Sequence, residues 1–170
     1  MKEILLSHNK KTQVDDDDYE ELIKVNWFAY RIAGTSHTGK VYLYGYKAGR
    51  KVQGKKYWIH NIIMKPSEGL VVDHIDGDPL NNQKSNLRVC TKKENSFNRG
   101  KRCSGKSSKF LGVSRDKKKF VAKIKLDGKT RHIGSFSSEI DAAKVYDEMA
   151  KKLFGKFARL NFPDLTIADT

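Results

Sequence analysis

The residues best suited to chemistry lie between positions 72 and 95. An Asp73-His74 pair ends an apolar run, and a turn-rich polar segment separates it from a strand-like run at 86–90. A helix-like segment that carries Asn95 comes next. Two short strands joined by a polar loop and followed by a helix would bring an acid, an imidazole and an amide around one cation.

Such a donor set suits phosphodiester hydrolysis. Mg²⁺ prefers oxygen ligands and retains several waters, so one carboxylate and one amide oxygen can hold it beside a phosphate. An imidazole next to that metal can take a proton from water near neutral pH. On residue types alone a structural interpretation stays open, because Asn-rich loops often satisfy their own backbone.

The same stretch resembles the core of the HNH endonucleases, in the branch found in phage and intron-encoded homing enzymes. The matching features occur in order: a D-H pair, a D-G turn, an N-N pair, N-L-R and a terminal E-N. The resemblance implies a ββα-metal nuclease domain, in which Asp73 and Asn95 ligate one divalent metal. By the same resemblance, His74 is the general base that activates water. Asn86 holds the loop and orients the His74 ring through a hydrogen bond.

The expected metal is one Mg²⁺ or Mn²⁺ per site. Many HNH enzymes end in His where this chain has Asn95, and an amide ligand disfavours a soft metal such as zinc. In the resembling family, a His at the position of His60 begins a short helix near the catalytic centre. Two interpretations of His60 remain open: a possible active-site residue that touches phosphate, or a core residue packed among isoleucines.

The charge balance predicts double-stranded DNA as the partner. The 170 residues include 34 Lys plus Arg against 20 acids, which gives a net charge of +14 and a pI near 9.7. Nucleic acid is the first candidate for such a chain and an anionic membrane surface the second. No stretch approaches the roughly 20 apolar residues of a spanning helix, and no signal peptide is apparent.

Cysteine usage indicates a reducing compartment. Cys90 and Cys103 form neither a metal-binding pattern nor a disulfide framework. We therefore expect a cytoplasmic protein, in the host cytoplasm if it is phage-encoded. The sequence implies no protein partner.

Four consecutive acids at 15–18 are the other candidate cluster. They could bind a metal, but acids also stabilise the positive end of a helix, and a helical pattern follows them. We predict a helix N-terminus at this point. Runs rich in β-formers at 3–7, 26–32 and 41–46 predict the extra strands of the first domain.

The composition divides the chain into a nuclease domain at 1–98, a basic Gly/Ser linker at 99–109, a DNA-binding domain at 110–163 and a tail at 164–170. The overall class is α+β. The linker has almost nothing to bury, and its charge suits a segment that runs along a phosphate backbone. Its candidate DNA contacts are Arg99, Lys101 and Arg102.

The segment 110–163 predicts a three-stranded antiparallel sheet packed on one helix. An alternating run leads into Asp127-Gly128, a preferred two-residue hairpin loop. A helix with an apolar stripe follows, and it covers one face of the sheet. The hairpin register gathers two cross-strand pairs on the other, solvent face: Lys125 with Thr130 and Lys123 with His132.

This segment resembles the Apetala/ethylene-response-factor type of DNA-binding domain. The resemblance rests on GV at 112–113, FVAKI at 120–124, IGSF at 133–136, AAKVYD at 142–147 and LNFP at 160–163. In that family the sheet lies in the major groove. The implied contacts are Lys123, Lys125, Thr130 and His132, with Arg115, Lys117 and Lys119 along the first hairpin. Ser114, Thr130 and His132 depart from the plant pattern, so the plant target does not transfer.

Together these features predict a metal-dependent DNA endonuclease of the HNH homing type. The C-terminal sheet would choose the site, and one HNH core would nick one strand as a monomer. The alternative is a DNA-binding transcriptional regulator with an inactive HNH core. An RNA-binding or purely structural basic protein would leave the Asp73-His74 constellation unexplained.

Overall fold

The computed structural model describes residues 1–35, 41–98 and 108–163, without the side chains of 32–35 and 41–46. The chain separates into two compact units, Met1–Asn95 and Ser96–Thr170. Both contain strands and helices, so the α+β class is confirmed. No helix in the described ranges is long and apolar enough to cross a membrane.

The first unit is built from three small antiparallel sheets and short helices. The sheets have the strand orders β1-β2, β3-β4-β5 and β6-β7. The last helix, α3, begins in the first unit and ends in the second. In chain order the elements are β1 (Lys2–Leu5), β2 (Lys11–Val14), α1 (Asp16–Leu22), β3 (Phe28–Thr35), β4 (Val41–Val52), β5 (Lys55–Trp58), α2 (Ile59–Met64), β6 (Val71–His74), β7 (Leu87–Cys90) and α3 (Lys92–Phe97).

One hydrophobic core joins the elements before β6. β2 alternates, with Thr12 and Val14 fully buried and Lys11 exposed, as expected for a strand with one face on the core. Burial of these apolar side chains is the main term that stabilises this half of the unit. The core consists of Ile4, Leu6, Val14, Leu22, Trp27, Ala29, Ala48 and Ile59.

Strand β2 is also hydrogen-bonded to the loop between β6 and β7. The Gln13 amide donates to the Leu80 carbonyl at 2.9 Å, and the Asn82 amide donates to the Gln13 carbonyl at 2.8 Å. These two bonds form a short parallel bridge between Gln13 and Asn81. The N-terminal hairpin therefore fixes the backbone of the polar loop that follows Asp73-His74.

The acidic run does begin a helix, as predicted. Asp15 is the N-cap of α1, and the next three acids form its first turn. The Asp15 carboxylate, however, accepts from the Lys84 amide at 2.8 Å and from Gln83 Nε2 at 3.4 Å. The Lys84 ammonium lies 2.9 Å from Asp18 Oδ1. The acids thus also tie the β6–β7 loop to α1.

The second unit is a three-stranded sheet with the order β10-β9-β8 and one long helix. Its elements are β8 (Val113–Asp116), β9 (Lys119–Leu126), β10 (Lys129–Phe136) and α4 (Glu139–Phe154). The predicted hairpin register is confirmed: Lys125 pairs with Thr130 and Lys123 with His132. Ser138 caps α4 by accepting from the Asp141 amide, and Gly155 ends the helix.

Helix α4 approaches the start of the sheet closely, and Gly112 makes that approach possible. A Cβ at this position would lie 2.0 Å from the Tyr146 ring, and the Gly112 φ of +72° suits glycine. The small residues Ala142, Ala143 and Ala150 are fully buried along the same helix. The apolar stripe of α4 is therefore core, as its spacing predicted.

The buried Asp147 carboxylate holds the C-terminal segment of this unit in place. It accepts from the backbone amides of Asn161 and Phe162 at 2.9 and 2.8 Å, and from Asn161 Nδ2 at 2.9 Å. The Asn161 side chain in turn pairs with the Leu111 backbone, accepting at 2.6 Å and donating at 3.1 Å. One acid thus connects α4 to both ends of the unit.

We expect Asp147→Ala to destabilise the second unit strongly. Three donors would lose a charged acceptor in a buried place, so the free energy of unfolding should fall by about 3 kcal/mol. Urea unfolding followed by circular dichroism measures this, with the exposed neighbour variant Glu148→Ala as the control. Equal stability of the two variants would contradict the role assigned to Asp147.

Candidate active site

The β6–β7 ladder positions the acid and the imidazole. Asp73 lies opposite Arg88 and His74 opposite Leu87, and both Asp73 and His74 are buried. Arg88 donates from Nε at 2.9 Å and from a terminal nitrogen at 2.6 Å to Oδ2 of Asp73. A buried carboxylate requires such a partner. Arg88 therefore holds the Asp73 side chain in place within the sheet.

The His74 ring is held by a chain of buried hydrogen bonds. Its Nε2 lies 3.1 Å from Asn82 Oδ1, and Asn82 Nδ2 lies 2.7 Å from the Thr12 hydroxyl oxygen. That hydroxyl donates to the Leu80 carbonyl at 2.7 Å, so its oxygen must accept from Asn82. The Asn82 oxygen then faces the ring, and Nε2 carries the proton. Nδ1 is consequently the basic nitrogen of the neutral ring.

The environment keeps His74 neutral. Burial lowers its pKa, and the charge of Lys47 acts in the same direction. The hydrogen bond to Asn82 and the charges of Asp76 and Asp73 oppose these effects without reversing them. A neutral imidazole can accept a proton, whereas an imidazolium cannot.

The predicted role of Asn86 requires a correction. Its side chain accepts from the Asp76 amide at 3.0 Å and donates to Asp76 Oδ1 and to the Asn81 carbonyl. Asn86 therefore closes the loop, as expected. His74 Nε2 donates instead to Asn82 Oδ1, because Asn86 accepts from the Ile75 amide just beyond the strand pair and directs its side chain into the turn.

His60 lies beside His74. The two ring centroids are 5.1 Å apart in an edge-to-face arrangement, and the Trp58 ring stacks with His60 at a centroid distance of 6.5 Å. Burial, with the charges of His74 and Lys47, lowers the pKa of His60 to about 3. Its Nδ1 is buried without a hydrogen-bond partner among the described residues. His60 is therefore a neutral neighbour of the base and offers no positive charge to a phosphate.

Asn95 is connected to the strand pair through Cys90. The Thr91 and Glu94 side chains form a capping box that begins α3 and brings Asn95 onto its second turn. Burial raises the pKa of the Cys90 thiol, and the charge of Asp73 raises it further. A hydrogen bond from the Asn95 backbone amide acts in the opposite direction. Cys90 is thus close to both expected metal ligands.

The donor set fits a hard divalent cation. Within the described residues, no three His, Cys, Asp or Glu side chains form a metal cluster, so a zinc-type cage is absent there. A carboxylate with an amide and waters is the set that Mg²⁺ or Mn²⁺ accepts. A carboxylate offers about four acceptor positions, so Asp73 can keep Arg88 and still bind a cation.

The second unit presents its predicted lysines to solvent. The residues Lys119, Lys123 and Lys125 alternate along β9 on one exposed face, and Thr130 and His132 are exposed beside them. Arg115, in contrast, pairs with Phe120, and its guanidinium lies 5.9 Å from that ring, on the opposite face. Lys117 lies in the turn between β8 and β9. Arg99, Lys101 and Arg102 fall outside the described residues.

Sequence reasoning did not identify four residues of this site. Thr12 and Asn82 orient the base, Arg88 holds the acid, and Lys47 contributes charge. Asn82 and Arg88 belong to the N-N and N-L-R features, which could have pointed to them. Thr12 and Lys47 are distant in sequence and carry no such signal.

Comparisons with known proteins match the region that forms the candidate site. The model of the HNH endonuclease family matches residues 58–97. A mimivirus protein named as an uncharacterized HNH endonuclease, from Acanthamoeba polyphaga mimivirus, is 38% identical over 108 residues. The match covers 61% of this chain and 54% of that protein, so the chain spans about half the length of this relative.

Two further relatives are similar in sequence to parts of this chain. Protein 3.8 of Escherichia phage T7 is 34% identical over 93 residues, which cover 54% of this chain and 76% of that protein. Dehydration-responsive element-binding protein 2C of Arabidopsis thaliana is 50% identical over 50 residues in the C-terminal region, 28% of this chain and 15% of that protein. No solved structure gives a significant match.

The family match spans the end of β5 to α3 and includes the expected general base and both expected ligands. The phage relative extends the similarity across three quarters of its own length. On these grounds the chain belongs to the HNH endonuclease family.

Proposed function

We propose that this chain is a metal-dependent DNA endonuclease that hydrolyses phosphodiester bonds. The observation that carries the proposal is the buried, neutral His74 ring, fixed by Asn82 and adjacent to the Asp73 side chain, which Arg88 holds in place. A base with a fixed tautomer beside an acid suits the activation of water.

In the proposed reaction, His74 takes the proton from the attacking water at Nδ1. Asn82 keeps the ring in that orientation, and Asn86 keeps the loop closed around Asp76. Asp73 and Asn95 would hold one Mg²⁺ or Mn²⁺, which when bound supplies Lewis-acid stabilisation of the phosphate and the leaving oxygen. Arg88 holds the Asp73 side chain in position for that purpose.

The second unit is proposed to choose the site on double-stranded DNA. Its exposed face carries three lysines, with Thr130 and His132 beside them. Lysines on phosphates supply affinity that is independent of sequence, whereas the polar side chains can reach base edges. A chain with one such active site can hydrolyse one DNA strand at a time, so we propose that a monomer nicks DNA.

We expect His74→Ala to abolish cleavage with little change in DNA affinity, because the base is removed and the charge of the neutral ring is zero. Nicking of supercoiled plasmid with Mg²⁺ or Mn²⁺, against an EDTA control, measures this directly. Retained cleavage in the variant would rule out His74 as the base. Tight binding without cleavage by the unmodified chain would favour a regulator with an inactive core.

Asn82 should act as a positioning residue. In Asn82→Ala the ring loses its hydrogen bond to Asn82 Oδ1, and misorientation of a base typically costs about 100-fold in rate. We expect kcat to fall by that order while KM stays unchanged. Asn81→Ala is the matched control, since the neighbouring amide contacts Asp76 rather than the ring. Equal losses in both variants would mean that the loop, and not the ring, is affected.

The double variant Lys123→Ala/Lys125→Ala tests the sheet face. Each phosphate contact contributes about 0.9 to the slope of log affinity against log salt, so the slope should flatten by about 2. Lys144→Ala/Lys152→Ala removes the same charge from exposed positions on α4 and should leave the slope nearly unchanged. If the two double variants behave alike, the face does not contact phosphate.

A further inference from the structure

One part of the first unit contains no acids. Between Glu21 and Glu68 the sequence has no Asp or Glu but has nine Lys or Arg residues. This stretch contains β3, β4 and β5, which carry six of the nine: Arg31, Lys47, Arg50, Lys51, Lys55 and Lys56. Acids elsewhere in the unit lie close to lysines, as in the Lys11–Glu3 and Lys24–Glu21 pairs. The sheet therefore carries positive charge that its own residues do not neutralise.

The strand register divides these residues between two faces. Ala29 pairs with Ala48, and both are buried in the core of the unit. Their neighbours in sequence must point the other way, because side chains alternate along a strand. The outer face therefore carries three aromatic residues, three lysines and one glycine: Phe28, Tyr30, Lys47, Gly49, Lys51, Lys56 and Trp58.

Aromatic rings and ammonium groups interleave on this outer face. The Trp58 indole lies across Gly49, where a Cβ would be 2.6 Å from the ring. Tyr30 meets Trp58 edge-to-face at 5.5 Å. The Lys47 ammonium lies 5.6 Å from the Trp58 ring centroid, and that of Lys56 lies 5.2 Å from Tyr30. Phe28 remains 48% exposed, which leaves an apolar surface among the charges.

The outer face leads directly to the candidate active site. Trp58 stacks on His60, and His60 contacts His74. The Lys47 ammonium lies over the same Trp58 ring that stacks on His60. A strand of nucleic acid lying on this face would therefore present a phosphate to the base at one end.

We propose that the outer face of β3–β5 is a second DNA-binding surface, which holds the duplex backbone next to the scissile phosphate. The proposal rests on the proposed nuclease function for its biological purpose. The lysines contact phosphates, and the aromatic rings pack against sugars and exposed base edges. This surface belongs to the nuclease unit and acts in addition to the sheet of the second unit.

The test is DNA binding by the full chain in EDTA, where no cleavage occurs. The background is Lys123→Ala/Lys125→Ala, which removes the other lysine face. Into it we introduce Lys51→Ala/Lys56→Ala, two exposed lysines paired across β4 and β5. The control pair is Lys11→Ala/Lys24→Ala, which removes equal charge from exposed positions beside acids. The probe is a fluorescent DNA duplex of random sequence, titrated at several salt concentrations.

The Lys51/Lys56 substitutions should flatten the salt slope by about 2 relative to the background, since two phosphate contacts are lost. The control pair should change it little. Equal salt slopes for the Lys51/Lys56 pair and the control pair would contradict the proposal that this face binds DNA. An equal change in slope with an RNA duplex would contradict its assignment to DNA. Because the readout needs no cleavage, an inactive enzyme with the expected slopes would refute the nuclease function and leave the surface standing.

Discussion

The hydrogen-bond chain from Thr12 through Asn82 to His74 is the interaction on which the candidate site depends. Thr12 and Asn82 are completely buried, and these hydrogen bonds give each of their side-chain polar groups a partner. A buried amide or hydroxyl without a partner costs about 1–3 kcal/mol. The hydrogen bonds therefore have one low-energy arrangement, and that arrangement fixes which nitrogen of His74 is basic. An exposed loop could not impose a tautomer in this way.

The same constraint explains why the candidate site depends on the N-terminal hairpin. Strand β2 supplies the Thr12 hydroxyl and the backbone bridge from Gln13, and its apolar residues anchor it in the core. The hairpin does not carry any of the residues expected to touch substrate. Its buried apolar residues fix the position of β2, and β2 in turn fixes Asn82. A shift of β2 would move Asn82 and, with it, the His74 ring. Packing and chemistry are thus linked by one strand.

Local patterns allowed much of this architecture to be predicted. The strand before Asp73-His74, the capped helices α3 and α4, and the β9–β10 register all follow from residues within one element or one turn. The partner of the His74 ring did not follow, because Thr12 and Asn82 are 70 positions apart and no local pattern joins them. Asn86 was expected to orient the ring, since sequence proximity cannot distinguish two asparagines in one loop. Side-chain direction is decided by the tertiary fold.

The distribution of acids determines where the positive charge can act. Three of them serve as internal acceptors: Asp73 for Arg88, Asp147 for the backbone near Asn161, and Asp15 for the Lys84 amide. An acid used in this way adds stability to the fold but does little to neutralise a distant lysine, because charges separated by more than about 10 Å are screened at 0.1 M salt. The net charge of +14 is therefore concentrated where acids are missing. On the described part of β3–β5 that region adjoins the base, so its electrostatic attraction for a phosphate backbone acts next to the place where hydrolysis is proposed to occur.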